Sequence, residues 1–532
     1  MDSRIGRIVL LGATIAASNC AYQHAKPLAH APALQRDFDF TKPGASPNPV
    51  GRYYFSSIPL GAHNTNRTFV VLTFSGGGTR AAAMAYGVLD ELRRIKIGCS
   101  NPADPSTCPG NTLLDEVDVI SSVSGGSFTA AYFARFGADI FDPNGRFLKR
   151  FLHYNAEREL FGEAVYYPQN WFRLLSRPEI AANLWSKLLF DRSTFNDLAR
   201  RERPFVVLNA ADYVTQTRFQ FTQDYFDRLC DDLNSFSLSR AVAASSAFPG
   251  LLNSMTVNTH NGKGKCPVDR PAPIWLQNAR ANQFENRLDY REALAYAKLS
   301  DDHKKYLHLL DGGLVDNIGL RAVYEGLRES GAATLPLFRM DSIIDNLLVI
   351  VVNARTGDKP PRFYQPDNLP MGPLTLPVIG ATSSLPMGTV SYDSVDMFTE
   401  LTDSWQQART DQIRQQEKAC EVARSRGASC DPPKPMMNLY AVELTFENIV
   451  HDETRDFFRH LATDFALPPS TVDCLDVEGR RLLLESRPYG GAAGQIGGNN
   501  LTFPEYVTTV LRGSVPPVTE HVEVKNGRCT VK

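Results

Sequence analysis

Runs of consecutive apolar residues alternate along the chain with segments of helical character. A run of β-branched and aromatic residues bounded by glycine, proline or polar residues is typical of a buried strand. Two of the runs lead into predicted helices, an alanine-rich one over 81–94 and another over 128–136. The pattern therefore predicts a buried sheet whose strands lie at 68–74, 117–120, 204–212, 307–311 and 346–353.

The pattern changes beyond the last of these strands. Residues 356–389 are rich in proline and glycine, which predicts irregular structure, either a mobile flap or a packed loop. The remainder predicts a helix over 391–426, a strand over 437–446, a helix over 454–465 and a surface loop over 488–500.

The second strand ends in the stretch Ser122-Val123-Ser124-Gly125-Gly126. A serine at a sharp strand-to-helix turn is the arrangement of a nucleophile elbow, whose usual pattern is G-x-S-x-G. Gly125 and Gly126 suit such a turn, whereas Ser122 replaces the first glycine. Such a turn is by itself more often an ordinary loop, so the interpretation depends on other segments.

The first strand runs into the glycine-rich stretch Ser75-Gly76-Gly77-Gly78-Thr79-Arg80. Glycines between a strand and a helix expose backbone N–H groups at the helix N-terminus, which favours an anion. The stretch could hold a phosphate or form an oxyanion hole. The lysine of a Walker P-loop and the third glycine of a dinucleotide fingerprint are both missing.

The strand at 307–311 ends in Asp311-Gly312-Gly313. An aspartate at the carboxyl end of a strand lies at the edge where α/β sheets place their chemistry, although an ordinary D-G turn has the same sequence. His308 lies three residues earlier, so a regular strand points it to the opposite face. His303 belongs to a charged, solvated run. Asp311 is therefore the better candidate for a general base.

Together these stretches resemble the patatin-like phospholipases, which carry a G-G-G-x-[RK] loop, a G-x-S-x-G elbow and a D-G-[GA] motif in that order. A fourth stretch, Ala243–Gly250, resembles a small-residue segment of the same family. The resemblance covers roughly Thr68 to Asn353. It implies an α/β fold, a three-layer α/β/α sandwich with a mainly parallel central sheet and helical insertions. It also implies a Ser–Asp dyad acyl hydrolase that acts on lipid esters and needs no cofactor or metal.

The chemistry of ester hydrolysis then assigns a role to each motif. Ser124 is the expected nucleophile and Asp311 its proton acceptor, made more basic by desolvation. The N–H groups of Gly77 and Gly78 are expected to hold the oxyanion, with Gly76 or Gly125 as further donors. The other expected supporting residues are Arg80, which orients the glycine loop or attracts a phosphate head group, and Gly126, Gly312 and Gly313.

The N-terminus predicts export. Two arginines, a short apolar run and then Cys20 form a signal peptide with a lipoprotein-like cysteine that would carry a lipid anchor. The remaining eight cysteines favour disulfides over metal ligands, since no CxxC pattern is present. Proximity suggests Cys99 with Cys108 and Cys420 with Cys430, and the remaining pairs would be Cys230 with Cys266 and Cys474 with Cys529. The expected location is the cell envelope as a lipoprotein, or the periplasm or exterior.

The divisions of the chain follow from these features. We expect a signal segment at 1–20, a tether and arm at 21–66, a catalytic domain at 67–356 with insertions at about 139–200 and 253–300, and a C-terminal extension at 357–532. The first insertion is rich in aromatic residues, which either pack on the sheet or form an amphipathic cap that meets a lipid surface. The expected partners are a phospholipid or other acyl-ester substrate and a membrane surface. A net charge of −2 without a basic block gives no reason to expect nucleic acid.

Two alternatives remain open at this point. A distant histidine such as His451 or His460 could complete a Ser-His-Asp triad. The chain could instead be a non-catalytic lipid-binding or scaffold protein of the envelope.

Overall fold

The computed structural model describes residues 52–155, 177–249, 252, 254–259, 274–281, 283–284, 287–301, 305–328, 343–356, 375–489, 495–496 and 499–532. Cys20, the signal segment and most of the tether lie outside these residues, as do His303, Cys266 and Gly250.

Eight strands form the central sheet, in the order β5-β6-β3-β2-β1-β7-β8 with β4 alongside β3. Strands β3, β2, β1, β7 and β8 run parallel, while β4 and β6 run antiparallel to β3 and β5 runs antiparallel to β6. The sheet is therefore mixed and mostly parallel. The strand bounds are β1 Thr68–Phe74, β2 Val117–Val123, β3 Phe205–Asp212, β4 Thr217–Gln220, β5 Met255–Asn258, β6 Tyr306–Asp311, β7 Asn346–Asn353 and β8 Asn438–Thr445.

Helices surround this sheet. Their bounds are α1 Gly78–Arg94, α2 Gly125–Phe136, α3 Arg177–Leu188, α4 Phe195–Ala199, α5 Gln223–Arg228, α6 Leu238–Ser245, α7 Ile274–Ala281, α8 Arg287–Lys298, α9 Gly313–Asp316, α10 Leu320–Arg328, α11 Thr375–Ser425, α12 Asp452–Arg459, α13 Pro469–Glu485 and α14 Phe503–Thr509. In the part of the chain that the structure describes, each helix is too short or too polar to cross a lipid bilayer.

Both faces of the sheet are buried. Successive side chains of a strand point to opposite faces, so neighbouring residues of one strand belong to different parts of the core. Val70 and Leu72 of β1 belong to the core cluster that contains α1, α2 and α13, whereas Val71 belongs to a second cluster with α10 and α11. Helices thus cover the sheet on both sides. The predicted α/β/α sandwich is confirmed.

The C-terminal third of the chain is part of this core. Strand β8 pairs with β7 over its whole length. Helix α13 crosses α1 closely: a β-carbon on Gly87 would lie 2.1 Å from the carbonyl oxygen of Asp476, and one on Gly479 would lie 2.6 Å from that of Met84. Residues beyond 357 therefore complete the sheet as well as pack on it.

Two predicted boundaries are wrong. Helix α11 begins at Thr375, so residues 375–389 are helical although their proline and glycine content predicted irregular structure. Farther along the same helix Phe398 and Trp405 are buried in the core, and Met387 lies against the glycine that follows Asp311, so tertiary contacts outweigh composition here. Helix α12 ends at Arg459 instead of near 465, because the following backbone turns toward Arg80.

The aromatic insertion packs inward wherever it is described. Phe151 stacks on Phe128 of α2 with 4.3 Å between ring centroids, and Trp185 meets the same ring edge-on at 4.6 Å. Phe147 is also fully buried. These side chains belong to the core, which leaves them no part in a lipid-facing cap. The cap prediction for Phe161, Tyr166, Tyr167, Trp171 and Phe172 falls outside the described residues.

Three of the proposed disulfides are present in the structure. They join Cys99 to Cys108, Cys420 to Cys430 and Cys474 to Cys529. Cys230 is also disulfide-bonded.

Candidate active site

Ser124 lies in the turn between β2 and α2, in a backbone conformation that few residues adopt. Its φ of 50° and ψ of −120° are strained for a residue with a side chain, and such strain is often found at functional sites. The glycines that follow are required by close packing. A β-carbon on Gly125 would lie 2.0 Å from the carbonyl oxygen of Gly78, and one on Gly126 would lie 2.6 Å from Cβ of Phe74.

Asp311 lies beside this turn because of a strand direction that the sequence did not predict. Strand β6 runs antiparallel to β3, so Asp311 does not end a strand of the parallel set. On β3, Asn209 pairs with Val123 and the next residue, Ala210, pairs with Asp311. Strands β2 and β6 therefore end at adjacent positions along β3. This register brings Ser124 and Asp311 together.

The two side chains are hydrogen-bonded to each other and almost fully buried. Asp311 is 2% exposed and Ser124 is 6% exposed. The Asp311 carboxylate accepts from the Ser124 side chain, and its Oδ1 accepts from the Gly313 N–H at 2.8 Å. Desolvation raises the pKa of Asp311 to about 7, although both hydrogen bonds act to lower it. A carboxyl group with this pKa can take and return a proton near neutral pH.

The glycine loop presents free N–H groups beside Ser124. Gly77 and Gly78 have φ of 139° and 61°, which L side chains rarely adopt. Their N–H groups, and that of Gly125, find no acceptor in the described ranges. The N–H of Gly76 differs, because it donates to the carbonyl oxygen of Asn317 at 2.9 Å. The prediction that Gly76 is a further oxyanion donor is therefore corrected, because its N–H already donates to a backbone carbonyl.

Comparison with known protein families identifies the family of the segment that carries these motifs. Residues 72–324 match the sequence model of the family described as patatin-like phospholipase. These residues form a patatin-like phospholipase domain.

Two solved structures show a weaker likeness. A human GIVD cytosolic phospholipase A2 is 16% identical over 54% of this chain and 43% of its own, with a TM-score of 0.30. VipD from Legionella pneumophila is 10% identical over 80% of this chain and 68% of its own, with a TM-score of 0.21. This chain thus spans less than half the length of the human phospholipase. At these scores neither likeness bears on its activity. A search of curated proteins found no match.

Arg80 of the patatin-like domain is occupied by contacts within the protein. Its guanidinium donates to the backbone carbonyl oxygens of Ala354 at 2.8 Å, Leu461 at 2.7 Å and Ala462 at 2.8 Å, and to Thr463 Oγ1 at 3.2 Å. Burial lowers the pKa of Arg80 to about 10, so the group remains cationic at neutral pH. These bonds join the glycine loop to the segment after α12, which favours the orienting role over head-group attraction.

Ser245, at the end of α6, connects the elbow to the aspartate. Its Oγ accepts from the Ser124 N–H at 2.9 Å and donates to the carbonyl oxygen of Asn209 at 2.6 Å. Its own carbonyl oxygen accepts from the Gly312 N–H at 3.2 Å. Sequence reasoning noticed the small-residue segment that contains Ser245 but gave this serine no task.

Ser122, the departure from the usual elbow pattern, is buried beside this connection. Its Oγ accepts from Ser127 Oγ at 3.2 Å, and Ser127 Oγ lies 2.9 Å from Ser245 Oγ. The serine thus adds a hydroxyl to a hydrogen-bonded chain beneath the nucleophile.

The histidines show no sign of a triad in the described ranges. His308 hydrogen-bonds with Thr256, while His451 and His460 are exposed at the two ends of α12. The described hydrogen bonds of Ser124 and Asp311 include no histidine.

Asp212 forms a turn, since its carboxylate accepts from the Val214 N–H at 3.0 Å.

Asn317 and Met387 also border the site, and sequence reasoning missed the first of them. Asn317 Oδ1 lies 2.6 Å from the position of a β-carbon on Gly76 and 2.8 Å from one on Gly313. Met387 Cε lies 3.0 Å from the latter position, which places an apolar side chain of α11 over the glycine that follows Asp311. Among the described residues, no group of His, Cys, Asp and Glu side chains is arranged to hold a metal ion.

Proposed function

We propose that this protein hydrolyses fatty-acyl esters of glycerophospholipids or lysophospholipids through a Ser124–Asp311 dyad. The observation that carries the proposal is the hydrogen bond between Ser124 and a buried Asp311 whose pKa is raised to about 7. Membership of residues 72–324 in the patatin-like phospholipases supports a lipid acyl ester as the substrate class.

The proposed first step is acylation. Ser124 Oγ attacks the ester carbonyl carbon while its proton passes to Asp311, and the carbonyl oxygen becomes an oxyanion held by the N–H groups of Gly77 and Gly78. The bond to the leaving alcohol then breaks, and Asp311 returns the proton to the departing oxygen. The product of this step is an acyl-serine ester.

The second step is hydrolysis of that ester. Water gives a proton to Asp311 and attacks the acyl carbon, and a second oxyanion forms in the same place. Collapse releases the fatty acid and returns the proton to Ser124. No further group is needed for the balance of protons.

Labelling with a fluorophosphonate tests the nucleophile. We expect the probe to attach to Ser124 in the wild type and to be absent from Ser124→Ala. Ser246→Ala is a matched control, because Ser246 is a buried serine nearby whose Oγ has no hydrogen-bond partner in the described ranges. Labelling of another residue would point to a different nucleophile, whereas no labelling together with no ester turnover would favour the scaffold alternative.

We also propose that the tip of the β3–β4 hairpin meets an anionic lipid surface. Tyr213 and Val214 are each 63% exposed at the end of β3, the strand that passes Ser124. The Asp212 turn fixes them in place. Exposed Arg291 donates to the carbonyl oxygen of Gln216, and Lys305 is exposed at the start of β6, so cations flank the apolar tip. Apolar side chains beside cations suit an anionic bilayer surface.

A double variant with Tyr213→Ser and Val214→Ser tests this surface. We expect weaker binding to vesicles that contain phosphatidylglycerol and slower turnover of their lipids, with unchanged hydrolysis of a soluble short-chain ester. Val450→Ser serves as the control, because Val450 is 74% exposed and lies outside the tip. Equal vesicle binding by both variants would exclude the tip as the contact.

Export to the cell envelope through a signal segment, with a lipid anchor at Cys20, is proposed from the sequence. The paired cysteines support it, because disulfides persist in oxidising compartments.

A further inference from the structure

One short stretch of backbone, residues 312–319, holds both the candidate base and the glycine loop. We call this stretch the connecting segment. Its Gly313 N–H donates to Asp311 Oδ1 at 2.8 Å. Four residues later, the carbonyl oxygen of Asn317 accepts from the Gly76 N–H at 2.9 Å. The two motifs are thus joined through one segment.

The connecting segment also contacts the strand that carries the nucleophile. The carbonyl oxygen of Gly319 accepts from Ser121 Oγ at 2.7 Å, and Ser121 lies on β2, which leads into Ser124. A β-carbon on Gly319 would lie 3.1 Å from the same hydroxyl oxygen. The position of the connecting segment therefore sets where nucleophile, base and glycine loop lie relative to one another.

A buried ion pair holds the connecting segment in place. Asp316, within the segment, is 0% exposed, and its Oδ2 accepts from the Arg321 N–H at 3.0 Å. The same oxygen lies 3.7 Å from Nη1 of Arg218 on β4, whose side chain is 2% exposed. Arg218 also pairs with Glu325 of α10. Removal of one member of a buried pair leaves the other charge uncompensated, so the pair is a strong constraint on the segment.

The pair acts on the site through its position and not through its charge. Desolvation raises the pKa of Asp311, and the opposing causes are its hydrogen bonds, with no charged group of the described residues among them. Burial likewise raises the pKa of Asp316. The charged groups that face Asp316 come from two elements: Arg218 from β4, and Arg321 and Glu325 from α10.

We propose that Arg218 and Asp316 are positioning residues of the acyl hydrolase: their buried ion pair fixes the connecting segment, which in turn sets the geometry of the dyad and the glycine loop. Neither side chain contacts the substrate. The inference rests on the proposed function and adds to it a pair of residues that acts from outside the reacting groups.

The chain offers a matched control at the other end of β2 from Ser124. Asp118 is 1% exposed, pairs with Arg203, and accepts from the Val70 N–H at 3.0 Å. Like Asp316 it is a buried aspartate that joins an arginine to a backbone N–H. Asp118→Asn and Arg203→Met therefore break a comparable pair that has no contact with the connecting segment.

The test compares these two variants with Asp316→Asn and Arg218→Met. Each of the latter should lower kcat about 10²-fold with little change in KM, because small displacements of reacting groups cost about this much. Asp118→Asn and Arg203→Met should keep kcat. All four should melt earlier than wild type, so lost stability alone does not account for a difference in kcat. The kinetics are measured at a temperature where circular dichroism shows every variant folded.

A double variant separates position from charge. Asp316→Asn and Arg218→Met change the local charge in opposite directions, so an effect of charge on Asp311 would shift the pH dependence of kcat in opposite directions. A displaced segment lowers kcat in both. The double variant should lose about as much as the more affected single variant, because both substitutions break one contact.

If Asp316→Asn or Arg218→Met does not fold, Arg218→Lys and Arg203→Lys make the same comparison with the positive charge kept. A lysine offers one ammonium group in place of the guanidinium that spans Asp316 and Glu325. We expect kcat to fall about 10-fold in Arg218→Lys and to stay unchanged in Arg203→Lys.

Three outcomes would overturn this role while leaving the proposed function intact. They are an unchanged kcat in Asp316→Asn or in Arg218→Lys, losses that multiply in the double variant, and opposite shifts in the pH dependence of kcat. A wild-type protein that hydrolyses no ester and takes up no fluorophosphonate would instead refute the proposed function, and this role with it.

Discussion

Asp311 is an ionisable residue held almost entirely out of water. Desolvation raises its pKa from an unfolded value near 4 to about 7. The group that makes the proposed chemistry possible is therefore also a source of instability above neutral pH.

The sign of this effect follows from proton binding. Between about pH 4 and pH 7 the unfolded chain has lost the Asp311 proton while the folded protein retains it, so stability falls as pH rises through this window and is then level. Asp311→Asn cannot lose a proton. We therefore expect the variant to gain stability relative to wild type, by a few kcal/mol, between pH 4 and pH 7.

Urea unfolding at pH 5 and pH 8 measures this difference. Asp311→Asn should show the smaller decline in the free energy of unfolding between the two values. An identical decline in both proteins would mean that Asp311 ionises normally in the fold.

Ser245 hydrogen-bonds both to Ser124 and to Gly312, the residue next to Asp311. Its hydroxyl accepts the N–H of the strained Ser124, so Ser245→Ala leaves that donor buried and unpaired. We expect kcat to fall about 10²-fold, since small displacements of a nucleophile cost about this much. Ser246→Ala should keep kcat. Steady-state kinetics at a temperature where both variants are folded gives the comparison, and an equal kcat in the two would assign Ser245 no positioning role.

At the scale of elements, the glycine loop depends on a segment almost four hundred residues away. Helix α12 ends at Arg459, and the backbone that follows accepts hydrogen bonds from Arg80 and from the Thr79 N–H, the latter to Asp464 at 2.8 Å. The loop is thus fixed from outside its own strand–helix unit.

Arg80→Met tests what the guanidinium does. It removes the donors to three backbone carbonyls, so the free energy of unfolding should fall by about 3 kcal/mol. Activity should fall equally toward a phospholipid and a neutral ester. A rise in KM for the phospholipid alone would point to recognition of the phosphate.

Local motifs and tertiary contacts account for different parts of the site. The sequence pointed to Ser124, the glycine loop and Asp311 as candidates, because glycine and serine are favoured in these tight turns for local conformational reasons. It did not reveal the antiparallel direction of β6, since a strand's pattern of side chains carries no direction. Ser245 and Asn317 were missed for a related reason: their importance comes from neighbours that only the fold brings near.

At the scale of the whole molecule, the chain divides less sharply than its sequence suggested. Strand β8 and helix α13 lie beyond the family match, yet they complete the sheet and pack on α1. The core therefore draws on nearly the full length of the described chain.

The disulfides give a prediction at this scale. Alkylation of the protein purified from the cell envelope, its proposed location, should without reductant leave Cys99, Cys108, Cys420, Cys430, Cys474 and Cys529 unmodified, and reduction should then expose them. Mass spectrometry of the intact protein before and after reduction measures the shift. Free thiols at these positions in that preparation would contradict both the pairing and the proposed compartment.

The central claim is tested most directly by the release of fatty acid from phospholipid by wild type, Ser124→Ala and Asp311→Asn, with Ser246→Ala as the folded control. The account predicts turnover by wild type and by the control, and loss of at least about 10³-fold in each of the other two variants. Full turnover by Asp311→Asn, with Ser124 still required, would show that another group takes the proton.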